Sequence, residues 1–230
     1  MLISGHDRNR ALMNQPLRIG LIGAGMVSRH HLIAWASLSD QARVVAVADP
    51  SGENAARRAS EFEIPQTWAS AEAMLAECEL DAIDIAAPRE MHAPLVRLAA
   101  AKRLPVLCQK PLAPNLQEAT DLAAEVDGVT RLMVHENWRF RGYYRDAAAW
   151  LREGRIGNIK QAQLTCSGVS PQERIYDLAT EYQGSYNRTI AHFVQSLRDN
   201  TPFETAPQDN LETLRLVEDC YRLSGWEALP

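Results

Sequence analysis

Short apolar runs and longer amphipathic stretches alternate along the chain from Leu17 to Val134. Leu17 to Ile22 (L-R-I-G-L-I) is an apolar run that stops at Gly23, the pattern of a strand buried on both faces. Met26 to Leu38 reads as a helix, and Arg43 to Ala48 as a valine-rich second strand ending at Asp49. Ala55 to Phe62 is the next helix, and an extended piece, Gln66-Thr67-Trp68, follows Pro65. The series continues as helix Ala71 to Glu77, strand Ala82 to Ala86 closed by Pro88, and helix Ala93 to Ala101. Strand Val106 to Cys108, helix Leu116 to Val126 and strand Leu132 to Val134 follow. Strands separated by helices of this length need crossover connections, so the pattern predicts an α/β fold with a doubly wound, mostly parallel sheet.

The remainder is patterned differently. Arg141 to Arg155 reads as a helix capped by glycine, and Lys160 to Ser167 as a strand. Tyr186 to Arg198 carries Ile190, Phe193, Val194 and Leu197 on one helical face, and Leu211 to Leu223 repeats that spacing with Leu214, Val217 and Tyr221. Residues 1–15 form a polar tail without the apolar stretch of a signal peptide.

Composition narrows the class. The 230 residues are 46% apolar and 23% charged, enough for a sizeable core and too apolar for a disordered chain. No apolar run approaches the roughly 18 residues of a membrane span. A net charge of −5 argues against a general nucleic-acid binder. Cys78, Cys108, Cys166 and Cys220 are far apart and lack zinc-site spacing, so reduced thiols, no metal site and a cytoplasmic setting are expected.

The loop after the first strand carries candidate chemistry. Gly23-Ala24-Gly25-Met26-Val27-Ser28 fits the G-x-G-x-x-G/A dinucleotide fingerprint with serine in the last place. Gly23 permits the tight turn, Gly25 lets a phosphate approach the backbone, and Ser28 is small enough for close helix–strand packing. The free N–H groups of the helix start, around Met26 and Val27, suit a pyrophosphate. Asp49, ending the next strand, is placed to accept hydrogen bonds from an adenosine ribose. Its charge leans toward NAD over NADP, a preference that Arg57 and Arg58 on the next helix soften, so NADP stays open.

Further segments, in order, resemble one family. Ser28-Arg29-His30-His31 continues the fingerprint, and Ile83 to Pro88 leads into His92 as P-x-x-x-H. Gln109-Lys110-Pro111 resembles an E-K-P motif with glutamine in place of glutamate, and Asn137-Trp138-Arg139-Phe140 resembles N-x-R-F. Together, over about residues 16–165, these resemble the glucose–fructose oxidoreductase/inositol dehydrogenase (Gfo/Idh/MocA) family. The resemblance implies an NAD(P)-binding Rossmann domain at 16–137 and a shortened substrate and oligomerisation domain at 138–230. It also implies hydride transfer to or from a secondary alcohol or ketone of a sugar, cyclitol or other polyol, and a homo-oligomer. Carried over by position, Lys110 is the catalytic lysine and a cofactor contact, meeting the reacting oxygen or the ribose, with an exposed surface lysine as the plain alternative. Pro88, His92 and Gln109 fall at the cofactor, Gln109 as a ribose contact. His92 is equally a candidate for a structural place at a helix start, and His31 for a packing residue. Asn137 and Arg139 are candidate substrate contacts.

The family's D-x-x-x-H helix has no counterpart here: Asp177 has no histidine four residues on, and His192 no aspartate four before. The simplest account is an internal deletion near residues 168–175 with both flanks retained, either natural or an omitted middle segment. A sheet cut short there predicts an exposed edge and self-association or poor stability. The alternative function is a dinucleotide-binding sensor or assembly protein without turnover.

Overall fold

The computed structural model describes residues 15–160 and 178–224. Its elements are β1 (Leu17–Ile22), α1 (Ser28–Ala36), β2 (Ala42–Ala48), α2 (Gly52–Phe62), β3 (Gln66–Trp68), α3 (Ala71–Glu77) and β4 (Ala82–Ile85). These are followed by α4 (His92–Ala101), β5 (Val106–Gln109), α5 (Leu116–Val126), β6 (Leu132–His135), α6 (Gly142–Arg152), α7 (Leu178–Asp199) and α8 (Pro207–Ser224). Six strands form one sheet in the order β3-β2-β1-β4-β5-β6, and every pair is parallel. The order reverses between β1 and β4, which opens a crevice at their carboxyl ends, the usual ligand position in such sheets.

Helix starts explain most differences from the sequence pattern. Ser51, Ser70 and Asn115 each accept a backbone N–H through their side chains and so begin α2, α3 and α5. Helix α2 starts at Gly52 rather than Ala55 because its first turn, Gly52-Glu53-Asn54, is polar and invisible to apolar periodicity. Helix α7 is described over Leu178–Asp199, reaching eight residues further toward the N-terminus than the apolar spacing from Tyr186 indicated. The expected strand Lys160–Ser167 lies, apart from Lys160, outside the described residues, and the described part beyond residue 141 is helical.

The sheet is covered on both faces. One core joins Ile83, Ile85, Val106 and Val134 to α3, α4 and α5, with Leu211 and Leu214 of α8 packed at its margin. The other joins Leu17, Ile19, Leu107 and Met133 to Trp35 of α1 and to Tyr186, Ile190, Phe193 and Val194 of α7. Burying apolar side chains of this size stabilises by about 1.5–3 kcal/mol each, which fixes α7 against the sheet. Among the described residues, no helix is long and apolar enough to cross a membrane.

Candidate active site

The glycine turn is built from both sides. Gly23 has φ +98°, and a Cβ there would lie 2.5 Å from the Ala86 carbonyl oxygen, so no other residue fits. Its N–H donates to the Ala48 carbonyl at 2.8 Å. The Ala24 amide donates to Asp49 Oδ2 at 2.7 Å, and the Ser51 amide to Asp49 Oδ1 at 2.8 Å. A Cβ on Gly25 would meet no atom within 4 Å, so the turn presents bare backbone to open space. From behind, Arg58 donates to the Gly25 carbonyl at 3.0 Å and to Ser28 Oγ at 3.3 Å, while Ser28 Oγ donates to the same carbonyl at 2.7 Å. Arg58 is therefore a buried brace of the loop rather than a partner for a 2′-phosphate. Arg57 is paired with Asn54 Oδ1 at 2.7 Å.

In front of this turn lies a cavity of about 790 Å³, lined by Gly23, Gly25, Met26, Val27, Asp49 and Pro88, with Ser51 and Asn54 beside the carboxylate. Met26, 88% exposed, forms its lip. The bare Gly25 backbone at the start of α1 and the Asp49 carboxylate fit, respectively, a pyrophosphate and a ribose diol. The residues predicted for the dinucleotide thus converge on one cavity, except three from the later strand ends.

Those three are placed differently. His92 is buried, with Nδ1 2.6 Å from the Pro111 carbonyl and Nε2 2.9 Å from the Ala87 carbonyl, so it ties together the loops after β4 and β5. Gln109, expected at a ribose, is buried; its amide meets His31 Nε2 at 3.1 Å and the Lys110 N–H at 2.8 Å, outside the cavity lining. The Lys110 side chain is exposed at the end of β5, before a cis Lys110–Pro111 bond. Asn137 is also turned inward, donating to Ser185 Oγ of α7 at 2.9 Å. Arg139 pairs with Asp209 at 2.5 Å in a groove of about 300 Å³ that Glu136, Trp138 and Tyr144 also line.

Sequence reasoning missed the buried polar cluster behind the strand ends. Asp84, fully buried in β4, accepts from His31 Nδ1 at 2.9 Å and from Trp35 Nε1 at 2.7 Å. An aspartate inside the run A-I-D-I-A was the available signal. His31 does pack, as expected, but as a polar member of this cluster. His135 stacks on it at 4.4 Å with neither ring nitrogen hydrogen-bonded among the described residues, and burial pushes its pKa well below the ordinary histidine value. Glu136 accepts from Asn210 Nδ2 at 2.6 Å; burial raises its pKa, and the Lys110 ammonium partly opposes that.

Comparison with known sequences gives this geometry its kinship. The family profile described as "Oxidoreductase family, NAD-binding Rossmann fold" matches residues 17–136, more than half of the 230-residue chain. The chain belongs to the Gfo/Idh/MocA family. Among Gfo/Idh/MocA-like relatives, a D-apiose dehydrogenase of Paraburkholderia graminis is 40% identical over 139 residues, covering 60% of this chain and 36% of that protein. Inositol 2-dehydrogenase 4 of Saccharopolyspora erythraea is 33% identical over 148 residues, covering 64% of this chain and 44% of that protein. The chain thus spans less than half the length of these curated relatives. An oxidoreductase from Agrobacterium radiobacter, solved in complex with NAD+, L-tartaric acid and magnesium, superposes with TM-score 0.80 at 19% identity. That match covers 90% of this chain and 96% of the other, so it extends beyond the Rossmann unit, and at this identity it speaks to the fold alone.

Proposed function

We propose that this chain is an NAD-dependent oxidoreductase acting on a secondary alcohol or ketone of a sugar, cyclitol or related small polyol. The observation that carries the reading is the shared cavity, where the bare Gly25 turn and the Asp49 carboxylate stand at the carboxyl ends of β1 and β2. Bound there, the nicotinamide supplies or accepts the hydride. The chain's own part is to bind, orient and move a proton. The amides at the start of α1 hold the pyrophosphate, and Asp49 holds the ribose and disfavours a 2′-phosphate. Lys110, exposed at the end of β5, meets the reacting oxygen and stabilises its developing charge. Arg139, beside its groove, is the remaining candidate for substrate contact. The names of the relatives, D-apiose and inositol dehydrogenases, support the substrate class.

The same proposal includes a nucleotide unit through residue 137 followed by a shortened substrate unit. It also includes a cytoplasmic setting, in keeping with the free thiols of Cys78, Cys108 and Cys220, and a homo-oligomer, which light scattering measures.

Titration with NADH and NADPH by nicotinamide fluorescence, followed by a dehydrogenase screen over polyols and sugars, tests the reading. Saturable binding favouring NADH is expected, with turnover that falls roughly 10²–10⁴-fold in Lys110→Ala while NADH affinity holds. Binding without turnover on any polyol supports the sensor instead, and absence of binding by the folded protein overturns both.

A further inference from the structure

We propose that Gln109, His31 and Asp84 form a one-way hydrogen-bond chain that positions Lys110, and that it requires an uncharged amide at position 109. The proposal rests on the reading of Lys110 as the reacting lysine. Its direction follows from donor chemistry. The Lys110 backbone N–H can only donate, and it lies 2.8 Å from Gln109 Oε1. That contact fixes the carboxamide so that Nε2 faces His31 Nε2 at 3.1 Å. A carboxamide nitrogen also only donates, so His31 Nε2 accepts and the ring hydrogen belongs on Nδ1. From Nδ1 it points at the Asp84 carboxylate, 2.9 and 3.0 Å away, which can only accept. The chain therefore begins at a fixed donor, ends at a fixed acceptor, and has one consistent orientation between them.

Its surroundings hold that orientation. His31 and Asp84 are fully buried and Gln109 is 7% exposed, so water cannot substitute for a lost link. Trp35 Nε1 donates to Asp84 at 2.7 Å, and the Tyr186 ring of α7 packs edge-on against His31 at 5.4 Å. A glutamate in place of Gln109 would still accept from Lys110 but would set a carboxylate against the His31 lone pair. Because His31 and Trp35 lie on α1, the helix that starts at the glycine turn, the chain holds Lys110 and the dinucleotide-binding turn in one frame. Gln109, His31 and Asp84 are thus positioning residues, none of them touching the cofactor cavity.

The test combines long-range ¹H–¹⁵N histidine spectra with kinetics on the full chain and on Gln109→Leu, Gln109→Glu, Asp84→Asn and Asp84→Asn/Gln109→Glu. The wild-type spectrum is expected to show His31 protonated at Nδ1 alone, and Gln109→Glu to bring a proton onto Nε2. NADH affinity should hold in Gln109→Leu while kcat falls roughly tenfold to a hundredfold with little change in KM, since the loss is one of placement. The double variant reverses both links to the ring: the carboxamide introduced on β4 donates to Nδ1, and Nε2–H donates to the carboxylate introduced on β5. It should therefore regain both turnover and Tm relative to Gln109→Glu alone. A wild-type His31 protonated at Nε2, or a double variant no better than the worse single one, overturns the chain. Absence of NADH binding or of Lys110-dependent turnover in the wild type would instead sink the functional reading, and the His31 spectrum and the Tm coupling would still decide the chain.

Discussion

Asp49 Oδ2 accepts the Ala24 N–H at 2.7 Å, so the carboxylate read as a ribose ligand is also a strut of the glycine turn. Each oxygen holds one amide, and the carboxylate itself lines the cavity. A hydrogen bond to a charged group is worth about 1.5–3 kcal/mol, and each 1.4 kcal/mol is tenfold in affinity. Asp49→Ala is expected to weaken NADH binding by roughly tenfold or more and NADPH binding by less. Parallel fluorescence titrations check the ratio; equal losses for the two cofactors would leave Asp49 with the strut role alone.

The two fingerprint glycines should fail in different ways. Gly23→Ala forces a side chain into a left-handed conformation 2.5 Å from the Ala86 carbonyl, a strain of about 1–3 kcal/mol that lowers Tm by several degrees. Gly25→Ala meets no protein atom within 4 Å, so its Tm should stay near wild type while NADH affinity drops. Calorimetry and titration on the same two variants separate the effects.

Acid should destabilise the fold through His135. Its pKa is held well below the ordinary histidine value by burial, so the unfolded chain takes up a proton that the folded one refuses. The stability it contributes is complete above about pH 6.5 and is lost as the pH falls from there toward the folded value. His135→Phe keeps the stacked ring without the titration. Its Tm should drop less than that of wild type between pH 7 and pH 5.

Glu136 works with the opposite sign. Burial raises its pKa, so ionising it costs stability as the pH rises from the ordinary carboxylate range through the folded value. Glu136→Gln keeps an oxygen for Asn210 Nδ2 and removes that charge. The variant should gain in Tm over wild type at pH 7, with the gain vanishing near pH 4.

Helix α7 should unfold with the sheet. Phe193 is fully buried, stacked on Phe203 at 5.2 Å and edge-on to Trp35 at 6.3 Å. Phe193→Ala is expected to cost about 3–5 kcal/mol in a single cooperative transition. Two separate calorimetric transitions would contradict the shared core.

The order of strands and helices, the crossover sheet and the Gly23, Gly25 and Asp49 fingerprint were all legible in the amino-acid chain before any packing was known. Those features are encoded locally, by runs of apolar residues, by the freedom of glycine at a turn and by a carboxylate at a strand end. The direction in which the polar side chains at the strand ends face was settled by the folded packing instead. Gln109 and Asn137 look alike in sequence to residues that line a cleft, yet each turns inward to a partner 78 and 48 positions away, respectively. The His31–Asp84 pair spans 53 positions, and α7 completes its setting with Tyr186. Nothing in the period of a strand records such partners, because a buried hydrogen bond is chosen by which donors and acceptors the fold brings within about 3 Å and shuts away from water.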